Sequence, residues 1–157
     1  MSGRRVWRAR ALGLLWLAAG PVAASGVDGL WQQFDDDGRL NSLVRIETVG
    51  GQVQATIVKG YPVPGRPADA DVRCGRCPGE LRDRPLIGLR FLWGLKGSGP
   101  AWDDGQILDP EDGAIYRAKA TLSDDGSRLT VRGYLGVSLF GRSQVWRRHT
   151  GPATENL

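Results

Sequence analysis

The chain has 157 residues, 21 Lys+Arg against 17 Asp+Glu, one histidine and six tryptophans. That is one domain's length, with too many large apolar rings for a disordered segment. The whole positive excess sits in Arg4, Arg5, Arg8 and Arg10. The remainder is formally neutral and lacks the basic surface that holds nucleic acid or an anionic membrane.

Those four arginines open a three-part leader. The apolar run from Ala11 to Ala19 follows them, and Val22-Ala23-Ala24 after Gly20-Pro21 places small residues at a cleavage site. Basic, apolar and small in that order is an export signal, and the run is about half the ~20 residues of a membrane span. The reading is a signal peptide over 1–24, removed after Ala24, and a single β-barrel domain over 25–157. Export by the general secretory route puts the domain in the periplasm or outside the cell, with no transmembrane segment in the mature chain.

Along that domain short alternating runs end in turn signals, the pattern of antiparallel strands. Gly29 to Phe34 is the first, closed by Asp35-Asp36-Asp37-Gly38. Ser42 to Thr48 and Val53 to Lys59 flank Gly50-Gly51. An irregular stretch from Tyr61 to Pro85 holds five prolines and both cysteines. Leu86 to Lys96 resumes strand, with Ile87, Leu89, Phe91 and Trp93 expected on one face. A short strand over Gln106 to Asp109 meets the turn Pro110-Glu111-Asp112-Gly113. Ala114 to Leu122, Leu129 to Leu135 and Ser143 to Arg148 complete the set, and Thr150 to Leu157 reads as a frayed tail. About eight strands joined by hairpin turns predict an all-β fold, an up-and-down antiparallel barrel whose closure removes exposed edges.

Gly29-Leu30-Trp31 matches the Gly-x-Trp signature of lipocalin-like barrels. In those folds an arginine of the last strand lies over the tryptophan, and Arg147 or Arg148 is placed to do so. A longer set of motifs reaches across the domain. Ser42-Leu43-Val44-Arg45-Ile46, Cys74-Gly75-Arg76-Cys77 and Trp102 come first. Gly105-Gln106-Ile107-Leu108-Asp109-Pro110, Gly113 and Tyr116 follow. Leu129 to Gly136 and Gly141-Arg142-Ser143-Gln144-Val145-Trp146 close the set. With these residues the sequence resembles the bacterial domain-of-unknown-function 2147 family, from Trp31 to Arg148. The resemblance implies an exported small β protein and supplies no catalytic residues.

The chemistry must then come from side chains. Cys74 and Cys77 read as a structural disulfide in an oxidising compartment, worth roughly 2 kcal/mol for so small a ring. A redox pair would want a helix N-terminus, and zinc would want more ligands than His149 alone offers. The acidic turns lack the ligand spacing of a calcium loop and read as hairpin turns. With one histidine there is no attractive catalytic triad, so neither a catalytic residue, a metal nor a cofactor is expected.

The barrel interior is the remaining candidate. Alternation puts Tyr116, Ala118, Ala120 and Leu122 on one face of their strand and Leu129, Val131, Gly133 and Leu135 on one face of the next. Small inward residues leave space, and a mostly apolar space with a few polar groups is what ligand sites look like. Trp31, Trp93, Tyr116, Ala118, Arg132 and Gly133 are the expected ligand contacts. Arg45 and Arg132 are expected outside by parity; an inward turn of either would favour a carboxylate ligand. The leading expectation is a non-catalytic exported protein binding a small apolar or amphipathic molecule. Its alternatives are an envelope interaction module with a filled barrel, and a thiol–disulfide oxidoreductase.

Overall fold

A computed structural model describes residues 26–62, 64–65 and 72–151. The leader read over 1–24 and the tail beyond Gly151 lie outside the described residues. Eight strands close an antiparallel barrel in simple sequence order: β1 (Gly29–Phe34), β2 (Leu40–Val49), β3 (Gln52–Gly60), β4 (Arg90–Lys96), β5 (Ala101–Leu108), β6 (Ile115–Leu122), β7 (Arg128–Tyr134) and β8 (Gly141–Arg148). β1 meets β8 through Trp31↔Arg148 and Gln32↔Arg147, which shuts the cylinder and leaves no free edge. The expected fold class stands.

Up-and-down order sorts the connections between two ends. The 26–28 segment, the Gly50-Gly51 turn, the 97–100 and 123–127 turns and the C-terminal residues gather at one end. The 35–39, 61–89, 109–114 and 135–140 connections gather at the other. The inner face carries Trp31, Val44, Ile46, Val53, Ala55, Leu92, Leu95, Ala118, Ala120, Leu129, Val131 and Trp146, all buried in one cluster.

Two sequence expectations fail on β-bulges. The register between β3 and β4 shifts twice, so Ala55 faces Leu92 and Val53 faces Leu95. An extra residue in a strand reverses the parity beyond it. The first shift turns Leu92 inward beside Phe91 and moves Trp93 to the outer face, where its Nε1 donates to Gln106 Oε1 at 2.8 Å; the second restores the parity, so Leu95 again faces inward. Leu86 to Leu89 is a turn before β4, with Ile87 exposed, rather than the start of a strand. The second failure is β5, which begins at Ala101, well before Gln106. The exposed pair Asp103-Asp104 hid this half of the strand. It is accommodated by a shift between Trp102 and Gly105, with Asp104 at φ 61°.

Candidate functional site

The end that holds the 26–28 segment is plugged. Trp31 is fully buried, and its Nε1 donates to the Val27 carbonyl at 2.9 Å. Arg148 lies over that ring, Cζ 4.3 Å from its centroid. Its guanidinium donates to three backbone carbonyls: Gly126 through Nε at 2.7 Å, Asp28 through Nη1 at 2.9 Å and Gly26 through Nη2 at 2.7 Å. One planar cation thus ties the N-terminal segment, the β6–β7 turn and the barrel floor together, a fork geometry that lysine lacks. Burial pulls the Arg148 pKa below its usual value. Gly29 belongs to the same device: at φ 131°, a Cβ there would stand 3.3 Å from Arg148 Nη1. Of the two arginines expected over Trp31, Arg148 takes the place; Arg147 points outward and covers Phe34 at 4.9 Å.

The opposite end is different. Positions whose parity turns them inward are solvent-accessible there: Arg142 and Gln144 of β8 are exposed, and Tyr116 and Gly133 are half-buried. Gln33 and Ser42 complete the ring as a buried pair, the Ser42 hydroxyl donating to Gln33 Oε1. Below them Trp146 Nε1 donates to Gln144 Oε1 at 3.1 Å, and Trp146 meets Phe91 at a ring separation of 5.8 Å. The result is a shallow polar-edged mouth on an apolar floor.

The rim is charged. Arg142 donates to Asp36 of the β1–β2 connection, and Asp36, Asp109 and Glu111 together raise its pKa. Tyr116 donates its hydroxyl to Asp112 Oδ2 at 2.7 Å; that bond is the main reason the Asp112 pKa is lowered and the Tyr116 pKa raised.

The space expected around the small residues is largely taken. Leu95 Cγ lies 2.6 Å from where a Cβ on Gly105 would stand, opposite Ala118. Ile107 and Tyr116 lie 3.2 and 3.6 Å from the corresponding point on Gly133. Ala118 and Ala120 are buried. Accessible inner surface is left at the mouth and, at the other end, in a cleft of about 320 Å³ beside Trp102 and the half-buried Leu122.

The expected ligand contacts separate accordingly. Tyr116 and Gly133 line the mouth and Ala118 lies beneath it. Trp31 belongs to the plugged floor. Trp93 is on the outer face, beside a groove of about 570 Å³ with Gln54, Thr56, Arg84 and Ile87. Arg132 also faces out, donating to the Ser138 and Leu139 carbonyls at 2.7 and 3.0 Å and to Ser143 Oγ at 2.9 Å. Arg45 is half-buried on the outer face between Leu30 and Thr56. With both arginines outside, no inward guanidinium from them awaits a carboxylate. Sequence reasoning missed Arg142, Gln144, Gln33 and Ser42. Parity alone would have turned them inward, but nothing local says where along a strand the filling stops.

The cysteines serve the same end of the barrel. Cys74 and Cys77 are buried side by side, Cα atoms 5.4 Å apart, a separation a disulfide spans. Cys74 Sγ lies 3.7 Å from the Pro110 carbonyl oxygen, and Arg76 Nη1 donates to the Glu111 carbonyl at 3.3 Å. Gly113, at φ 77°, makes this docking possible, since a Cβ there would sit 1.9 Å from the Arg76 carbonyl oxygen. Buried sulfurs suit a clip better than thiol exchange, which needs an accessible thiolate.

The family described as "Uncharacterized protein conserved in bacteria (DUF2147)" matches residues 29–148, from the Gly-x-Trp glycine to the arginine over the tryptophan. The chain belongs to that family. No curated protein matches it. Among solved structures, this DUF2147 chain is similar to "Protein HP1028 from the human pathogen Helicobacter pylori belongs to the lipocalin family". The TM-score is 0.67 and the identity 21%, over 80% of this chain and 84% of that one. At that identity the likeness concerns the fold: this DUF2147 barrel is lipocalin-like.

Proposed function

We propose that this DUF2147 protein is an exported, non-catalytic binding protein that takes a small apolar or amphipathic molecule at the open end of its barrel. One observation carries the reading: the inner face around Trp31 is filled by buried side chains, while Tyr116, Gly133 and Gln144 at the opposite end keep solvent-accessible inner surface. An apolar floor under a few polar side chains is the composition of small-molecule sites, and the lipocalin-like fold supports it. The accessible surface suits a small ligand whose apolar part rests on the half-buried Ile107, Tyr116 and Gly133 while its polar part meets Gln144 and the rim.

Organic extraction of protein purified natively from the cell envelope, followed by mass spectrometry, tests the reading. A recurrent stoichiometric lipid or other small apolar molecule is expected. Gln144→Trp, which builds a ring into the mouth from an exposed position, should lose it while the barrel stays folded. Retention by that variant, or no occupant in the parent, would sink the proposal in favour of an interaction module. N-terminal sequencing of the same material is expected to begin near Ser25; an intact Met1 would overturn export with cleavage.

A further inference from the structure

The connection between β7 and β8 breaks the rule that turns are polar. Leu135, Val137, Leu139 and Phe140 are 63, 60, 79 and 73% exposed. Four large apolar side chains within six residues make a continuous apolar tip, where scattered single exposures would need no explanation. Nor is the tip an unstructured run that could fold its side chains away. Arg132 holds the Ser138 and Leu139 carbonyls from the outer face, Phe140 N donates to the Val137 carbonyl at 3.2 Å, and Gly136 turns the chain at φ 66°. The guanidinium fixes the backbone by its carbonyls, so the side chains are presented to solvent.

We propose that this tip is a membrane-docking wedge that inserts into the interfacial layer of a lipid bilayer. Its size decides between occupants. Four side chains fall well short of the ~800 Å² per partner that a standard protein interface buries, and a protruding tip does not make the flat self-complementary patch of a two-fold dimer. Interfacial insertion needs only a few apolar side chains reaching the acyl boundary. Charge narrows the mode further. Each cation near the tip has an acid or carbonyl beside it: Arg132 is bound to the tip itself, Arg142 to Asp36 with Asp109 and Glu111 nearby, and Arg117, over Tyr134, lies 4.0 Å from Asp104. Docking is therefore apolar in origin and tolerant of salt and headgroup charge. The tip borders Gly133 and Arg142, so docking would set the mouth against the bilayer; the docking itself holds whether or not the mouth takes a ligand.

The test is sedimentation with vesicles of phosphatidylethanolamine and phosphatidylglycerol, and with vesicles of phosphatidylcholine alone. It uses protein from cells expressing the whole chain, with the N-terminus determined for every variant. Leu139→Ser combined with Phe140→Ser should weaken partitioning tenfold or more into both vesicle types. Thermal unfolding should stay unchanged, because both side chains are exposed in the free protein. Arg132→Gln should weaken partitioning less, by freeing the tip. Raising salt from about one to five tenths molar, which shortens the screening length severalfold, should change partitioning less than twofold. Three results would overturn the proposal: no partitioning by the parent, equal partitioning by the double variant, or loss of a dimer in ultracentrifugation on the Ser substitutions without loss of lipid binding.

Discussion

The two ends of the barrel use similar residues for opposite purposes. At the plugged end an arginine stacks on a buried tryptophan and spends its three donor directions on backbone carbonyls of the same molecule. At the open end Arg142 pairs along the rim with a single exposed aspartate on the neighbouring β1–β2 connection, and Gln144 next to it on the inner face is exposed. A guanidinium with each of its nitrogens bonded to a backbone carbonyl and a ring beneath it is a structural rivet. One held by a solvated carboxylate can exchange that partner for another. Parity places both on the inner face; only the distance to the filled core separates their roles.

The comparison is broken most directly at Trp31. Trp31→Ala should destabilise the barrel by about 3–5 kcal/mol, the usual cost of deleting a buried aromatic. Chemical denaturation of the pure variant measures it, and a loss below about 1 kcal/mol would show that the floor is not filled by this ring. Arg148→Ala should cost about 2–3 kcal/mol, the range for charge-assisted hydrogen bonds whose partners are left behind. Arg148→Lys should recover only part of that, because an ammonium cannot serve three divergent carbonyls in one plane.

The open end should prove softer. The double change Cys74→Ser, Cys77→Ser should lower stability by no more than about 2 kcal/mol and leave the far-ultraviolet spectrum of the barrel intact. Collapse of that spectrum would mean that the clip organises more than its own connection. Arg142→Gln should change stability by less than about 1 kcal/mol, as exposed ion pairs do, yet alter the set of molecules recovered with the protein. Equal losses at Arg142 and Arg148 would erase the distinction between the ends.

The finest probe is pH. The Tyr116 hydroxyl holds the Asp112 pKa below its ordinary 3.8. A lowered carboxylate pKa contributes stability that is present above the ordinary value and lost as pH falls through the lowered one. The contribution is small, since the pair is solvated. Tyr116→Phe should raise the Asp112 midpoint toward the ordinary range, followed by carboxyl carbon NMR; an unmoved midpoint would show that the hydroxyl does not bond there. On the alkaline side the neutral phenol is favoured and the Tyr116 pKa is raised, so its contribution holds below pH ~10 and fades above it.

Period-two alternation and turn residues were sufficient, within the sequence, for the β class, the strand count and most strand positions. Both signals are local: a strand with one wet face must alternate, and Asp-Asp-Gly or Gly-Gly leaves few conformations open. The pairing of Gly29-Leu30-Trp31 with a terminal arginine was legible too, through the resemblance of that signature to lipocalin-like barrels. The tertiary structure alone decided which side of β4 faces the core, since one bulge turns Leu92 in and Trp93 outward and a second restores the parity at Leu95. It also decided how far up the barrel the filling reaches, through Leu95 over Gly105 and Ile107 against Gly133. Likewise it gave Arg132 its partners, two carbonyls on a connection whose path no local pattern predicts. Alternation records a preference for a face; what occupies the space on that face depends on side chains that arrive from strands far away in sequence.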